Sequence, residues 1–105
     1  MHMEHRWSRR IQVCLDAIVF HRLLGLTQVA VRDISLEGVF IGAENLILPS
    51  QSIVELTFAL NTSGKQRIRQ AEAIVIHRTH NGCGLMFKDF RMETFQAIKD
   101  MLYAA

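Results

Sequence analysis

Apolar and polar residues alternate along much of the first half of the chain, and this two-residue period is typical of half-buried β-strands. In residues 11–19 every second position is apolar, which predicts a first strand. The segment "HRLLG" at residues 21–25 predicts a turn, and residues 26–32 predict the return strand. A short β-branched segment at residues 39–41 predicts a third strand.

The same pattern resumes after Pro49, which breaks the chain. Residues 54–60 alternate again, and "NTSGK" at residues 61–65 is a polar turn of the kind that joins antiparallel neighbours. Residues 68–77 and 85–87 predict the last strands, which are joined by the segment "RTHNGCG".

The final stretch changes to a helical period. Phe95, Ile98 and Leu102 are spaced at i, i+3 and i+7, which predicts a helix over about residues 92–103 with one apolar stripe. About six short strands with no helix between them indicate a mainly β protein, either an antiparallel barrel or a sandwich. The helix would then cover an open end or face, and closure of the sheet would remove exposed strand edges.

Composition limits the kinds of protein this chain can be. With 105 residues and 50% hydrophobic residues, it is expected to form one domain around a single core. No apolar run is long enough to cross a bilayer and no apolar leader follows the charged N-terminus, so neither membrane insertion nor secretion is expected. Cys14 and Cys83 form no short-range pair, which is typical of buried thiols in a reducing cytoplasm.

Charge is concentrated at the N-terminus rather than spread over the domain. The formal net charge of +2 is too small for a protein that coats nucleic acid. Arg6, Arg9 and Arg10, however, are balanced by Glu4 alone in the first ten residues. Arg6 and Arg10 share a side in a strand or a helix, and guanidinium groups match phosphate oxygens and the edge of guanine. On charge alone, the commoner interpretation is a solvated, unrestrained terminus.

The polar segment "DISLEG" interrupts the strand pattern inside the domain. Val29 and Val31 have the same parity as Asp33 and Ser35, so the alternation slips near residue 32. A slip of this kind predicts a β-bulge or bend that redirects the side chains of Asp33 and Ser35.

Two interpretations of the polar groups in this segment remain open. Asp33 can accept hydrogen bonds from the N–H groups of a base, and Ser35 can donate or accept. Gly38 can take a positive φ or allow a ligand to approach the backbone closely. Alternatively, Asp33 and Ser35 satisfy their own turn, which the glycine completes.

The two segments together are more specific than either alone. Arg6-x-x-x-Arg10 followed by Asp33-x-Ser35-x-x-Gly38 resembles the paired signature of PilZ domains, which are bacterial receptors for cyclic di-GMP. "VRDISLEGVFI" looks like the second block of that family, and "GCGLMF" is similar to its later strand with glycine and phenylalanine. The resemblance covers nearly the whole chain.

The resemblance implies both a fold and a ligand. The implied fold is a six-stranded antiparallel β-barrel with a C-terminal α-helix over residues 11–105, preceded by a flexible arm at residues 1–10. Arg6, Arg9 and Arg10 would hold the phosphates and one guanine of cyclic di-GMP. Asp33, Ser35 and Gly38 would meet the other guanine. The implied protein is a cytoplasmic, stand-alone receptor without a cofactor, and its effector is a separate protein in motility, biofilm or polysaccharide control.

The sequence departs from the commonest form of the family at one position. Many members carry an arginine immediately before the first motif arginine, and His5 stands there in this chain. A cation at that position helps to recruit a second, stacked ligand, so the departure favours binding of one cyclic di-GMP, although Arg9 can offset the loss. Trp7 is either a stacking surface or an apolar clasp onto the barrel.

The sequence also has to be compared with other function classes. One alternative is a PilZ-like adaptor that binds a protein and ignores the nucleotide. Another is a small β-barrel for single-stranded DNA or RNA, which the low charge and few aromatic residues disfavour. His77, His80 and Cys83 have the spacing of metal ligands but lack a fourth ligand, so a hairpin turn is expected rather than a zinc site. No catalytic constellation is evident, and an enzyme is not expected.

Overall fold

A computed structural model describes residues 9–42, 46–62 and 64–103. These residues form six strands, β1 (Ile11–His21), β2 (Gly25–Ile34), β3 (Gly38–Gly42), β4 (Ile53–Thr62), β5 (Lys65–Thr79) and β6 (Gly82–Phe90), and one helix, α1 (Met92–Leu102). All strand pairs are antiparallel, and the strands close into a barrel in the order β1-β2-β3-β6-β5-β4. The expectation of a mainly β, six-stranded barrel with a C-terminal helix is confirmed.

The β5–β6 hairpin is longer than the sequence pattern predicts. Arg78 pairs with Cys83 and Thr79 with Gly82, so the connection shrinks to two residues, His80 and Asn81. The hydroxyl of Thr79 donates to the side-chain oxygen of Asn81 at 2.6 Å and helps to close the turn. Polar residues can extend a hairpin in this way because the backbone ladder, rather than an apolar face, holds it together.

The barrel interior is filled by the inward-facing side chains of the strands. The most deeply buried include Val31, Ile34, Ile41, Leu56, Phe58, Leu60 and Val75. On the helix, Ile98 and Leu102 are buried against this core, and the Thr94 hydroxyl donates to the carbonyl of Gln70 at 3.1 Å. Ile98 and Leu102 of the predicted stripe therefore face the barrel, whereas Phe95 is only half-buried and Thr94 and Ala97 complete the buried face.

Antiparallel pairing divides the connections between two ends of the barrel. The start of β1, the β2–β3 and β4–β5 connections and α1 lie at one end, which we call the helix end. The β1–β2, β3–β4 and β5–β6 connections lie at the other, which we call the loop end. Leu48 in the β3–β4 connection is 1% exposed and packs into the core.

The two cysteines differ in burial. Cys83 is buried, as predicted, but Cys14 is exposed, so the prediction of two buried thiols is wrong for Cys14. Side chains alternate between the two faces of β1. Val13 and Leu15 are half-buried on the inner face, so Cys14 points outward with Gln12 and Asp16.

Burial of Cys83 predicts a loss of stability at alkaline pH. Desolvation raises the pKa of the Cys83 thiol above its ordinary value of 9.0, against smaller lowering effects of the Arg78 charge and a hydrogen bond with the Leu48 backbone. The folded state therefore holds this proton more tightly than the unfolded state. Its contribution is full below the ordinary pKa and is lost as pH rises through the raised pKa.

Urea denaturation at a series of alkaline pH values would measure this effect. We expect the free energy of unfolding to fall less steeply with pH in Cys83→Ala than in the wild type. Cys14→Ala is the matched control and should follow the wild-type slope. Equal slopes for all three proteins would contradict the prediction.

Candidate functional site

The bulge predicted near residue 32 is present between β2 and β3. The register shifts between Val31 and Asp33, so that Asp33 pairs with Phe40 while Ile34 returns to the core. The shift leaves the Asp33 side chain partly exposed on the outside of the barrel. This local irregularity is what turns a strand residue into a surface carboxylate.

Ser35 begins a tight turn that it satisfies largely by itself. Its backbone N–H donates to the carbonyl of Gly38 at 2.9 Å. Its hydroxyl oxygen accepts hydrogen bonds from the N–H groups of Glu37 at 3.1 Å and Gly38 at 3.3 Å. Ser35 is buried, so these bonds are needed to satisfy its polar atoms. The interpretation of a self-satisfied turn holds for Ser35.

Arg10 connects this turn to the start of β1. One guanidinium nitrogen forms an ion pair with the carboxylate of Asp33, and the other donates to the hydroxyl oxygen of Ser35 at 3.2 Å. The fork of one side chain thus joins two residues that are 23 and 25 positions away in the sequence. The Arg10 and Asp33 side chains are 42% and 28% exposed, and an ion pair at that exposure contributes only about 0–1 kcal/mol. A ligand can therefore separate them at low cost.

Gly38 is explained by packing between strands. Positive φ occurs among the described glycines only at Gly25 and Gly64, so the suggestion of a positive φ at Gly38 is wrong. Gly38 pairs with Met86 on β6, and a Cβ atom at position 38 would overlap the backbone carbonyl of Leu85. The close approach that requires glycine here is made by β6. Contact of Gly38 with a ligand stays a prediction.

A shallow cavity of about 270 Å³ opens beside Arg10 and Asp33 on the outer wall of the barrel. Its other walls include Phe40, Ile76 and Gly84, which continue the surface across β3, β6 and β5. Gly84 has no side chain to fill the floor of the cavity. A cation, a carboxylate and an apolar shelf together suit a planar polar ring that carries an anionic group.

Phe40 and Ile76 were missed by the sequence analysis because the surrounding residues are those of a buried strand. For Phe40, the alternation of side-chain directions could have shown its position. Val39 and Ile41 face the core, so Phe40 between them must face outward. Ile76 is exposed beside a register shift between Val75 and His77 that the sequence does not reveal.

A second cavity on the barrel wall has the wrong charge for an anion. It measures about 280 Å³ and is lined in part by Glu55, Glu72 and Asp89. These carboxylates face one another across β4, β5 and β6, and they outnumber the two cations beside them, Arg91 in the lining and Lys88, which pairs with Glu72 at 3.5 Å. The cavity next to Arg10 is therefore the better candidate for an anionic ligand.

The sequence model of the PilZ domain matches residues 4–104. The chain belongs to the PilZ domain family. PilZ domains are receptor and adaptor domains, and the barrel with its C-terminal helix is shared with solved structures that carry this fold.

Two solved structures share the PilZ fold of this chain. The Bacillus subtilis inhibitor of motility (MotI/DgrA) is 17% identical with a TM-score of 0.82, and the match covers 95% of this chain and 50% of that protein. The PilZ domain of CeSA from a cellulose-synthesizing bacterium is 14% identical with a TM-score of 0.69, covering 91% of this chain and 96% of that domain. This chain thus spans half of the length of the motility inhibitor. The comparison with curated proteins gave no match.

The structure describes the two segments that resemble the PilZ signature to different extents. The second motif is described in full, with Asp33, Ser35 and Gly38 around one turn. Of the first motif, Arg10 is described, whereas Arg6, like His5 and Trp7, lies outside the described residues. Arg9 does not join Arg10 in the contacts with Asp33 and Ser35. Its backbone N–H donates instead to the hydroxyl of Tyr103 at 3.2 Å, just after α1.

The rest of the described PilZ domain shows neither a metal-ligand cluster nor a membrane-spanning helix. Within residues 9–42, 46–62 and 64–103, no three side chains of the metal-binding types come together, and His77, His80 and Cys83 do not form such a group. In the same part of the chain, no helix has the length and apolar character needed to span a bilayer.

Proposed function

We propose that this PilZ domain binds cyclic di-GMP through Arg6, Arg9 and Arg10 of the first motif and Asp33, Ser35 and Gly38 of the second. The observation that supports the proposal most is the contact of the Arg10 guanidinium with both Asp33 and Ser35. Residues of the two motifs therefore meet at one surface, next to a cavity.

The Arg10–Asp33 pair has the right chemistry to be exchanged for the ligand. Arg10 offers two parallel donors, which suit a phosphate group, and Asp33 offers two acceptors, which suit the N1–H and N2–H groups of guanine. In the structure each group satisfies the other. On binding, the phosphate replaces Asp33 as the partner of Arg10, and the guanine edge replaces Arg10 as the partner of Asp33.

The output of binding would be a change in the N-terminal arm at residues 1–10. Two phosphates that attract Arg6 and Arg10 would order the arm over the barrel, which creates a composite surface for a protein effector. Arg9 meets Tyr103 at the end of the helix, so the arm and the helix would contribute to that surface together. One similar structure is named as an inhibitor of motility, and the other comes from a cellulose-synthesizing bacterium. Both names agree with an effector in motility, biofilm or polysaccharide control.

The alternative is a PilZ adaptor that binds its protein partner without nucleotide. The observation in its favour is that Arg10 and Asp33 already satisfy each other, so the described site needs no ligand to be complete. A partner whose affinity for this protein is unchanged by cyclic di-GMP would support the adaptor function.

Calorimetric titration with cyclic di-GMP tests the proposal directly. We expect saturable binding of one ligand per chain, weaker at high salt because two phosphates meet arginines. Cyclic di-AMP is the matched control, since it has the same charge but lacks the guanine edge that Asp33 would read. Absence of heat with cyclic di-GMP at low salt would contradict the proposal, and equal affinity for both dinucleotides would contradict the role of Asp33.

A further inference from the structure

The loop end of the barrel, opposite the Arg10 site, carries four strongly exposed apolar side chains. Leu23 and Leu24 in the β1–β2 turn are 81% and 52% exposed, and Leu26, just beyond the turn, is 71% exposed. Ile47 in the β3–β4 connection is 72% exposed. Apolar side chains grouped on projecting connections indicate a contact surface, since a soluble protein gains nothing by displaying them there.

The β1–β2 turn is built so that its two leucines stay exposed. The Nδ1 atom of the buried His21 accepts hydrogen bonds from the backbone N–H groups of Leu23 at 3.1 Å and Leu24 at 3.2 Å. The backbone of the turn is thereby fixed from inside, and both side chains are directed away from the barrel. A preorganised turn loses little conformational freedom when its side chains enter a contact.

The charged side chains that the structure describes in the loop-end connections and at the adjoining end of β5 are cationic. Arg22 lies in the same turn as the leucines. Ile47, Arg78 and His80 line a cavity of about 400 Å³, and the Arg78 guanidinium donates to the carbonyl of Leu48 at 3.4 Å, which holds it there. The three connections contain no carboxylate other than that of Glu44, which lies outside the described residues. Exposed apolar side chains next to arginines are complementary to a surface that has anionic groups outside and an apolar interior beneath them.

We propose that the loop end binds the surface of an anionic lipid bilayer. Leu23, Leu24 and Ile47 would enter the boundary between headgroups and acyl chains, while Arg22 and Arg78 meet lipid phosphates. The loop end of a second copy would bring the same arginines to the contact, whereas an anionic bilayer supplies the opposite charge. The proposed contact is peripheral and does not need a membrane-spanning segment. The expectation of no membrane insertion concerned such a segment, because it rested on the lack of a long apolar run.

Sedimentation of the full chain with lipid vesicles tests this proposal. We expect the wild type to sediment with vesicles of phosphatidylcholine and phosphatidylglycerol and to remain in solution with phosphatidylcholine alone. The double variant Leu23→Ser, Leu24→Ser should reduce the bound fraction at least about fivefold, because two apolar side chains no longer leave water. Ile68→Ser is the matched control, since Ile68 is also exposed but lies on β5 towards the helix end, and it should sediment like the wild type.

The proposal is overturned if the wild type binds neither kind of vesicle, or if the double variant binds as well as the wild type. Ile47→Ser, on a separate connection, gives a second measurement should the turn variant fail to fold. A wild-type dimer that dissociates in Leu24→Ser would also overturn it and assign the loop end to self-association. Affinity for cyclic di-GMP should be unchanged in all these variants because Arg10 lies at the other end, so this test is independent of the proposed function.

Discussion

Replacing Arg10 with alanine is expected to weaken cyclic di-GMP binding at least about tenfold, because one charge-assisted contact contributes about 1.5–3 kcal/mol. The substitution acts twice. It removes the donors to a phosphate, and it removes the positive charge that would offset the Asp33 carboxylate beside a dianionic ligand. Calorimetric titration of wild type and variant in the same buffer measures the change in Kd.

Two further variants separate the causes of this loss. Arg67→Ala changes the net charge by the same amount, but Arg67 is exposed on β5 and lines a different cavity. The affinity of this variant for cyclic di-GMP should therefore stay near that of the wild type. Arg10→Lys keeps the charge but loses the planar fork, and we expect an intermediate affinity. If Arg10→Ala and Arg67→Ala bind equally well, the Arg10 site is not the ligand site.

Gly38→Ala is expected to destabilise the fold by about 3 kcal/mol or more, which is the upper range for overpacking of a close-packed site. The added Cβ atom would overlap the backbone carbonyl of Leu85, and a backbone atom cannot swing away as a side chain does. Relief therefore requires β3 and β6 to separate, which strains the closed barrel. Thermal unfolding should show a Tm lowered by more than about 10 °C, given about 4–8 °C per kcal/mol for a domain of this size.

Gly84→Ala is the control for this effect, since Gly84 is the β6 residue that pairs with Phe40. A Cβ atom there would lie 3.4 Å from the Cβ atom of His77, which is an ordinary van der Waals contact. Its Tm should stay within a few degrees of the wild type. A Gly38→Ala protein as stable as Gly84→Ala would show that the approach of β6 is not what requires glycine at position 38.

The sequence alone determined the features that depend on neighbouring residues. Period-2 alternation located the strands, the spacing of Phe95, Ile98 and Leu102 located the helix, and the parity slip before Asp33 located the bulge. These predictions succeeded because the side-chain direction in a strand or helix follows from local geometry. Strand ends were less well predicted, as in the β5–β6 hairpin, because polar residues pair without leaving an apolar signal.

Tertiary structure decided everything that depends on residues far apart in the chain. Alternation is the same in a sandwich and in a barrel, and pairing of β1 with β4 and of β3 with β6 selected the barrel. The same pairing placed the Leu85 carbonyl against Gly38 and brought the Arg10 guanidinium to Asp33 and Ser35. It also set the connections that expose the loop-end leucines opposite that site. Local periodicity records only which way a side chain points, and contacts across strands depend on a register that the folded barrel alone sets.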